Sequence, residues 1–198
     1  TPKYLVDANP VLATWEGFKD PAVAKECATA ETGDKGAFLA GPLGWTQYDQ
    51  QIADQLGLNL QVINTASEEA LLAQMSANYE RQQPVLFYFY TPHAIFTRYD
   101  LVEVALPECT KEEHAAKVAA ETVDCAYPDD RLIKILNPKL KESAPDAYAL
   151  LQKFNYTTAD QIEMLGMLDQ GKTVEEAAQA WIDAHAVSYT HLTLPTIY

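Results

Sequence analysis

Pro84 to His93, PVLFYFYTPH, sets four aromatic rings in a row and then meets a proline. A short apolar run bounded in this way reads as a buried strand. Alternation places Leu86, Tyr88 and Tyr90 on one face and Val85, Phe87 and Phe89 on the other. Phe87, Tyr88 and Phe89 are therefore expected in the core. Tyr90 ends the run, and in open α/β sheets ligands sit in the crevice outside the carboxyl ends of strands. The strand thus carries a ring toward the place where a ligand would lie.

Working outward from this strand, SEEALLAQMSANYE (Ser67 to Glu80) predicts a helix with Leu71, Leu72, Met75 and Tyr79 on one face. Thr65 or Ser67 is its N-cap, and Glu68 and Glu69 suit its first turn. LNLQVI (Leu58 to Ile63) alternates as a strand does. YDQQIADQLG has Tyr48, Ile52 and Leu56 at helical spacing, with Gly57 placed to end the helix. GPLGW follows a short strand near Ala37 to Ala40 and leaves Trp45 after a glycine–proline turn. Val11 to Glu26 reads as two short helical pieces broken at Pro21. Helix, strand, helix, strand is the order of an α/β lobe with a largely parallel sheet. Beyond it, VEVALP (Val102 to Pro107) reads as another strand. TKEE and TVEE fit the capping box at Thr110 and Thr173, and helices are expected over Ala144 to Phe154, Thr158 to Gly171 and Thr173 to His185.

Bulk composition limits the partners. The 198 residues are 48% hydrophobic, enough for a real core, and the formal net charge is −14. Such a surface repels phosphate backbones, so nucleic acid is not expected as a partner. No apolar run reaches the ~18 residues of a membrane span. Of the three cysteines, Cys109 and Cys125 can pair in an oxidising compartment, which spacing alone does not establish. TPKYLVDANP reads as internal sequence, so the chain is taken as a fragment lacking its start. VSYTHLTLPTIY (residues 187–198) has no Lys, Arg, Asp or Glu and no helical period, and is read as a non-native, adapter-derived tail.

Catalytic motifs are missing. There is no G-x-S-x-G, no P-loop and no H-E-x-x-H. The four histidines have no Cys or His neighbour at ligand spacing, so neither a metal nor a cofactor is expected. Of the acidic pairs, Glu68-Glu69, Glu112-Glu113 and Glu175-Glu176 fall in first turns, where the helix dipole accounts for them. What remains is aromatic. Trp45 and Tyr90 each follow a predicted strand, and Trp45-Thr46-Gln47 is expected at a helix start, where N–H groups lack partners and attract an anion. Ring faces beside free amides suit a bulky cation tethered to a carboxylate.

On these residues the chain resembles the substrate-binding proteins of glycine betaine/proline betaine ABC importers. The likeness runs from PKYLVDANPVLATWEGFKDP through ETGDKGAFLAGPLGWTQYDQ, the PVLFYFYTPH region, YDLVEVALPE and VDCAYPDD to AAQAWIDAH. It implies a type II periplasmic-binding-protein-like α/β fold, with residues 1–103 forming one lobe and residues 104–186 a partial, mostly helical second lobe. It implies that Trp45 is one wall of an aromatic cage, that the amides of Thr46 and Gln47 hold the ligand carboxylate, and that Tyr90 is a second wall. His93 stands as an added polar contact. Tyr90 replaces a usual tryptophan and Ala94 a common aromatic, and a further cage ring of the family lies upstream of Thr1. The implied function is extracytoplasmic capture of glycine betaine or a related quaternary ammonium osmolyte, without catalysis, for a permease and its ATPase. The sensing domain of a transcription regulator shares the fold and is the main rival; an enzyme using an acid pair ranks last.

Overall fold

The computed structural model describes residues 1–185; residues 187–198, read above as a non-native tail, lie outside the described residues. The elements follow in the order α1 (Lys3–Ala8), α2 (Pro21–Ala24), β1 (Gly36–Ala40), α3 (Asp49–Leu56), β2 (Leu60–Asn64), α4 (Glu68–Glu80) and β3 (Leu86–Phe87). After them come α5 (Ile95–Arg98), α6 (Lys111–Ala119), α7 (Leu140–Ser143), α8 (Pro145–Lys153), α9 (Thr158–Asp169) and α10 (Val174–Ala184). Two compact units divide the chain. The first is Thr1–Phe89 with Asp100–Asp129; the second is Tyr90–Tyr99 with the chain from Asp130 onward.

The first unit is built on a three-stranded sheet of order β2-β1-β3, parallel throughout. β1 is its centre, pairing Gly36 with Leu60 on one side and Phe38 with Leu86 on the other. A strand flanked on both edges and covered on both faces must be apolar along its length, and GAFLA is buried at Gly36, Ala37, Leu39 and Ala40. Leu12, Phe18, Ala24, Cys27, Leu60 and Leu86 form one apolar cluster of this unit. α3 ends where expected: Gly57 is left-handed at φ 65°, a conformation a side chain disfavours. α4 is capped by Ser67, whose hydroxyl accepts from the Ala70 N–H, and it buries Leu71 and Met75.

Three local expectations change. The aromatic run is a strand for two residues only, Leu86–Phe87, and it is an edge strand with Phe87, Tyr88 and Phe89 half-buried. The ladder stops because β1 runs out of acceptors. After Tyr88 N–H reaches Leu39 O at 2.8 Å, the next carbonyl on that side, Gly41 O, is taken by the side chains of Asn64 and Gln47, and Pro42 turns the chain. VEVALP is not a strand; it makes a single bridge, Ala105 with Thr14, because its neighbour is a chain of 3-10 turns with no extended edge to offer. The Val11 to Glu26 region holds more pieces than expected, and Pro21 opens α2 at its first position behind the N-cap Asp20.

The second unit is helical. α9 packs on α10 and on α5. Thr173 and Glu176 satisfy each other's backbone groups at the start of α10, as TVEE predicts, and TKEE does the same at α6 in the first unit. A third capping box, Thr157 with Asp160, opens α9. Asp160 then reaches further: its carboxylate accepts from the Trp181 indole at 3.0 Å and lies 3.3 Å from His185 Nε2, tying α9 to α10.

Candidate functional site

The strongest sequence signal, GPLGW, folds as a fixed turn. Trp45 N–H donates to Pro42 O at 2.9 Å. The Gln47 amide nitrogen donates to the carbonyls of Gly41 and Pro42, while its oxygen accepts from Asn64 Nδ2 at 2.7 Å. Asn64 also donates to Gly41 O at 3.0 Å, so the end of β2 and the turn after β1 are latched together. The Trp45 indole lies over Gly41: a Cβ there would meet Trp45 Cε3 at 2.4 Å. Only glycine admits the ring so close to the backbone.

Trp45 is half-buried and packs edge-on against Tyr88, with centroids 6.0 Å apart. Thr46 is exposed. Helix α3 begins at Asp49 with Tyr48 as its N-cap, two residues later than expected. Thr46 and Gln47 therefore lie in the link between the turn and the helix, before the helical N–H groups. The donors are nonetheless present: neither backbone N–H meets a hydrogen-bond acceptor among the described residues. A hollow of about 290 Å³ opens here, with Trp45, Gln47, Tyr48, Asp49 and Asn64 in its wall.

Behind the turn lies a group of residues that sequence reasoning missed. Tyr127 Oη accepts the Tyr48 N–H at 2.6 Å and donates to Asp49 Oδ1 at 3.1 Å. Its ring packs on Tyr48 and on Tyr88, each at 5.6 Å. His114, buried on α6, stacks edge-on against Tyr48 at 5.3 Å. Asp49 is 8% exposed, and burial pushes its carboxyl up to about 6 against the lowering effect of the Tyr127 hydrogen bond. Burial, and then Asp49, raise the Tyr88 phenol. Tyr127 is raised by the same two causes. VDCAYPDD held the one available signal, an aromatic–proline pair beside a cysteine, but nothing local ties it to Tyr48. Cys109 and Cys125 form a disulfide that anchors this segment. Among the described residues the one grouping with metal-ligand types is Cys109, Asp124 and Cys125, and its sulfurs are already bonded to each other.

Tyr90 and His93 belong to the second unit. Tyr90 is 38% exposed and meets the His93 ring edge-on at 5.8 Å, across the cis Thr91–Pro92 peptide. His93 Nδ1 accepts the Ile95 N–H at 3.1 Å, which orients the ring at the start of α5. Neither Trp45 nor Tyr90 is an interior residue. A larger hollow of about 660 Å³ in the second unit is lined by Arg131, Lys134 and Lys141 with Tyr148 as its one ring. Three cations there make a poor host for a cationic ligand.

Residues 1–184 match the family described as the substrate-binding domain of ABC-type glycine betaine transport systems. The trimethylamine N-oxide-binding protein of Pelagibacter ubique is 30% identical over 192 residues, which is 93% of this chain and 59% of that protein. The glycine betaine/carnitine transport binding protein GbuC of Listeria monocytogenes is 26% identical over 120 residues, 61% of this chain and 35% of its own length. Among solved structures, lactococcal OpuAC in its closed form with glycine betaine superposes with a TM-score of 0.53 at 21% identity, covering 84% of this chain and 60% of that one. The fold is that of periplasmic binding proteins, and the chain spans about 60% of the length of the Pelagibacter protein and of lactococcal OpuAC.

Proposed function

Because the chain belongs to the family of substrate-binding domains of ABC-type glycine betaine transport systems, we propose that it captures a trimethylammonium osmolyte such as glycine betaine outside the cytoplasm and hands it to a membrane permease driven by an ATPase. No catalytic step is involved. One observation carries this reading: a half-buried indole stands beside two backbone N–H groups that no acceptor among the described residues satisfies.

The chemistry of the ligand follows from that pairing. A trimethylammonium group has no N–H to give, so it needs a ring face rather than an acceptor, and a desolvated ring is worth ~1–2 kcal/mol to it. The amides of Thr46 and Gln47 serve the negative end, a carboxylate in glycine betaine or the oxygen of trimethylamine N-oxide. Choline offers them no anion and is the weaker ligand. Tyr90 and His93 are assigned to ligand contact on the family resemblance, as a second ring and a polar group. Among the described residues, no helix is long and apolar enough to cross a membrane.

Titration calorimetry with glycine betaine, trimethylamine N-oxide, carnitine and choline tests the assignment. Trp45→Ala should weaken the best ligand by roughly tenfold or more, the equivalent of one lost ring. Undiminished affinity in Trp45→Ala would remove Trp45 from the site. Tyr90→Ala and His93→Ala, measured separately, test those two residues in the same way.

A further inference from the structure

Tyr127 lies behind the Trp45 turn and contacts the two residues that follow it, Tyr48 and Asp49. Its hydroxyl takes the Tyr48 N–H and gives its proton to Asp49, while its ring bears on Tyr48 and on Tyr88, which in turn bears on Trp45. The Tyr48 N–H is the N-cap donor of α3. A capping-box glutamate would ordinarily serve it from three residues ahead, but here that service comes from 79 positions away. Val123 N–H donates to Gln51 Oε1 at 3.3 Å, so the same segment touches α3 twice. The segment is itself fixed: Ala126 N–H donates to Pro107 O at 2.8 Å, Cys125 is bonded to Cys109, and Val123 is fully buried.

We propose that Tyr127 is the positioning residue of the ligand turn: its hydroxyl and ring, anchored through the Cys109–Cys125 bridge, hold Tyr48 and Asp49 so that Trp45 and the amides of Thr46 and Gln47 are set before a ligand arrives. This rests on the assignment of Trp45, Thr46 and Gln47 to the ligand. Two buried polar atoms in the cluster, Asp49 Oδ2 and His114 Nε2, have no hydrogen-bond partner among the described residues. The network thus has spare polar capacity beside the turn. Facing Asp49 are the phenols of Tyr88 and Tyr127. His114 bears on Tyr48 and Tyr127 from α6, and Asp124 of the bridging segment is neutralised by Lys117. With Asp49 pushed up to about 6, the cluster changes charge within an ordinary working range.

Two measurements on the whole chain decide it, one of them free of ligand. In amide and indole NMR spectra, Tyr127→Phe should move the signals of Trp45, Thr46 and Gln47 while those of β1 and β2 stay in place. The Tyr48 and Asp49 amides should titrate with a midpoint near 6 in the native chain. That midpoint should rise in Tyr127→Phe, which loses the bond favouring the carboxylate, vanish in Asp49→Asn and persist in His114→Gln. In calorimetry, Tyr127→Phe, which removes both hydrogen bonds of that hydroxyl, should weaken glycine betaine by roughly tenfold or more. Unmoved turn signals, or unchanged affinity in a chain that binds, would overturn the role of Tyr127. A chain that binds none of the quaternary amines, yet shows the moved signals and shifted midpoint, would instead refute the ligand assignment and leave Tyr127 as the residue that positions the turn.

Discussion

Gly41 supports Trp45 by having no side chain. A methyl group at that position would overlap the indole edge, with Cε3 only 2.4 Å away, so Gly41→Ala must push the ring off its seat or open the turn. Overpacking of this kind costs ~1–3 kcal/mol. The expected result is a lower urea midpoint together with lost ligand heat, whereas Trp45→Ala should lose the heat with a smaller change in midpoint. At this scale the sequence was most readable where local chemistry decides. Glycine, proline and tryptophan within five residues announced the turn, while the start of α3 at Asp49 leaves Thr46 and Gln47 in the link before the helix rather than in its first turn. Tyr127 was not readable. Its partners Tyr48 and Asp49 are brought to it by the fold, and nothing in VDCAYPDD identifies the remote helix that its phenol caps.

Among the elements, helix starts were the most legible features because each is written in three or four adjacent residues. TKEE and TVEE form the reciprocal boxes they predict. Thr173→Ala should cost ~1 kcal/mol, read as a lower urea midpoint followed by Trp181 fluorescence on the same helix. The box at Thr157 departs from the Ser/Thr-x-x-Glu pattern because aspartate takes the place of glutamate, and that aspartate carries the pH dependence of the α9–α10 contact. Thr157 N–H and hydroxyl, the Trp181 indole and His185 hold the Asp160 carboxyl down to about 2. Its ordinary value is ~3.9, so the stabilisation is complete above pH ~4 and is lost as pH falls toward 2. Trp181 fluorescence should report that loss, and Asp160→Asn should remove the acid-dependent part of it. Strand ends were the least legible. The length of β3 depends on where β1 stops offering acceptors, and no property of LFYFY contains that information.

For the whole molecule, an α/β core with a parallel sheet and a helical remainder was legible from the order of elements. The way the chain interleaves was not: Tyr90–Tyr99 joins the unit that resumes at Asp130, while Asp100–Asp129 returns to the first. Only long-range contacts determine such a division. The returning segment brings the Cys109–Cys125 bridge, which spans 16 positions. A loop of that size restrains the unfolded chain by ~3 kcal/mol in the chain-entropy account. Reduction should therefore lower the urea midpoint, and if Tyr127 acts as inferred, it should weaken betaine as well.

The third sulfur has a consequence for anyone who makes this protein. Once folded, Cys27 is shut inside the main apolar cluster, its thiol pushed up to about 11 by burial, and it is chemically quiet. While the polypeptide is still emerging, nothing hides it, and either bridge cysteine can capture it in error. Under oxidising conditions an odd thiol thus sets collapse in a race with scrambling, and Cys27→Ala should raise the yield of correctly bridged monomer.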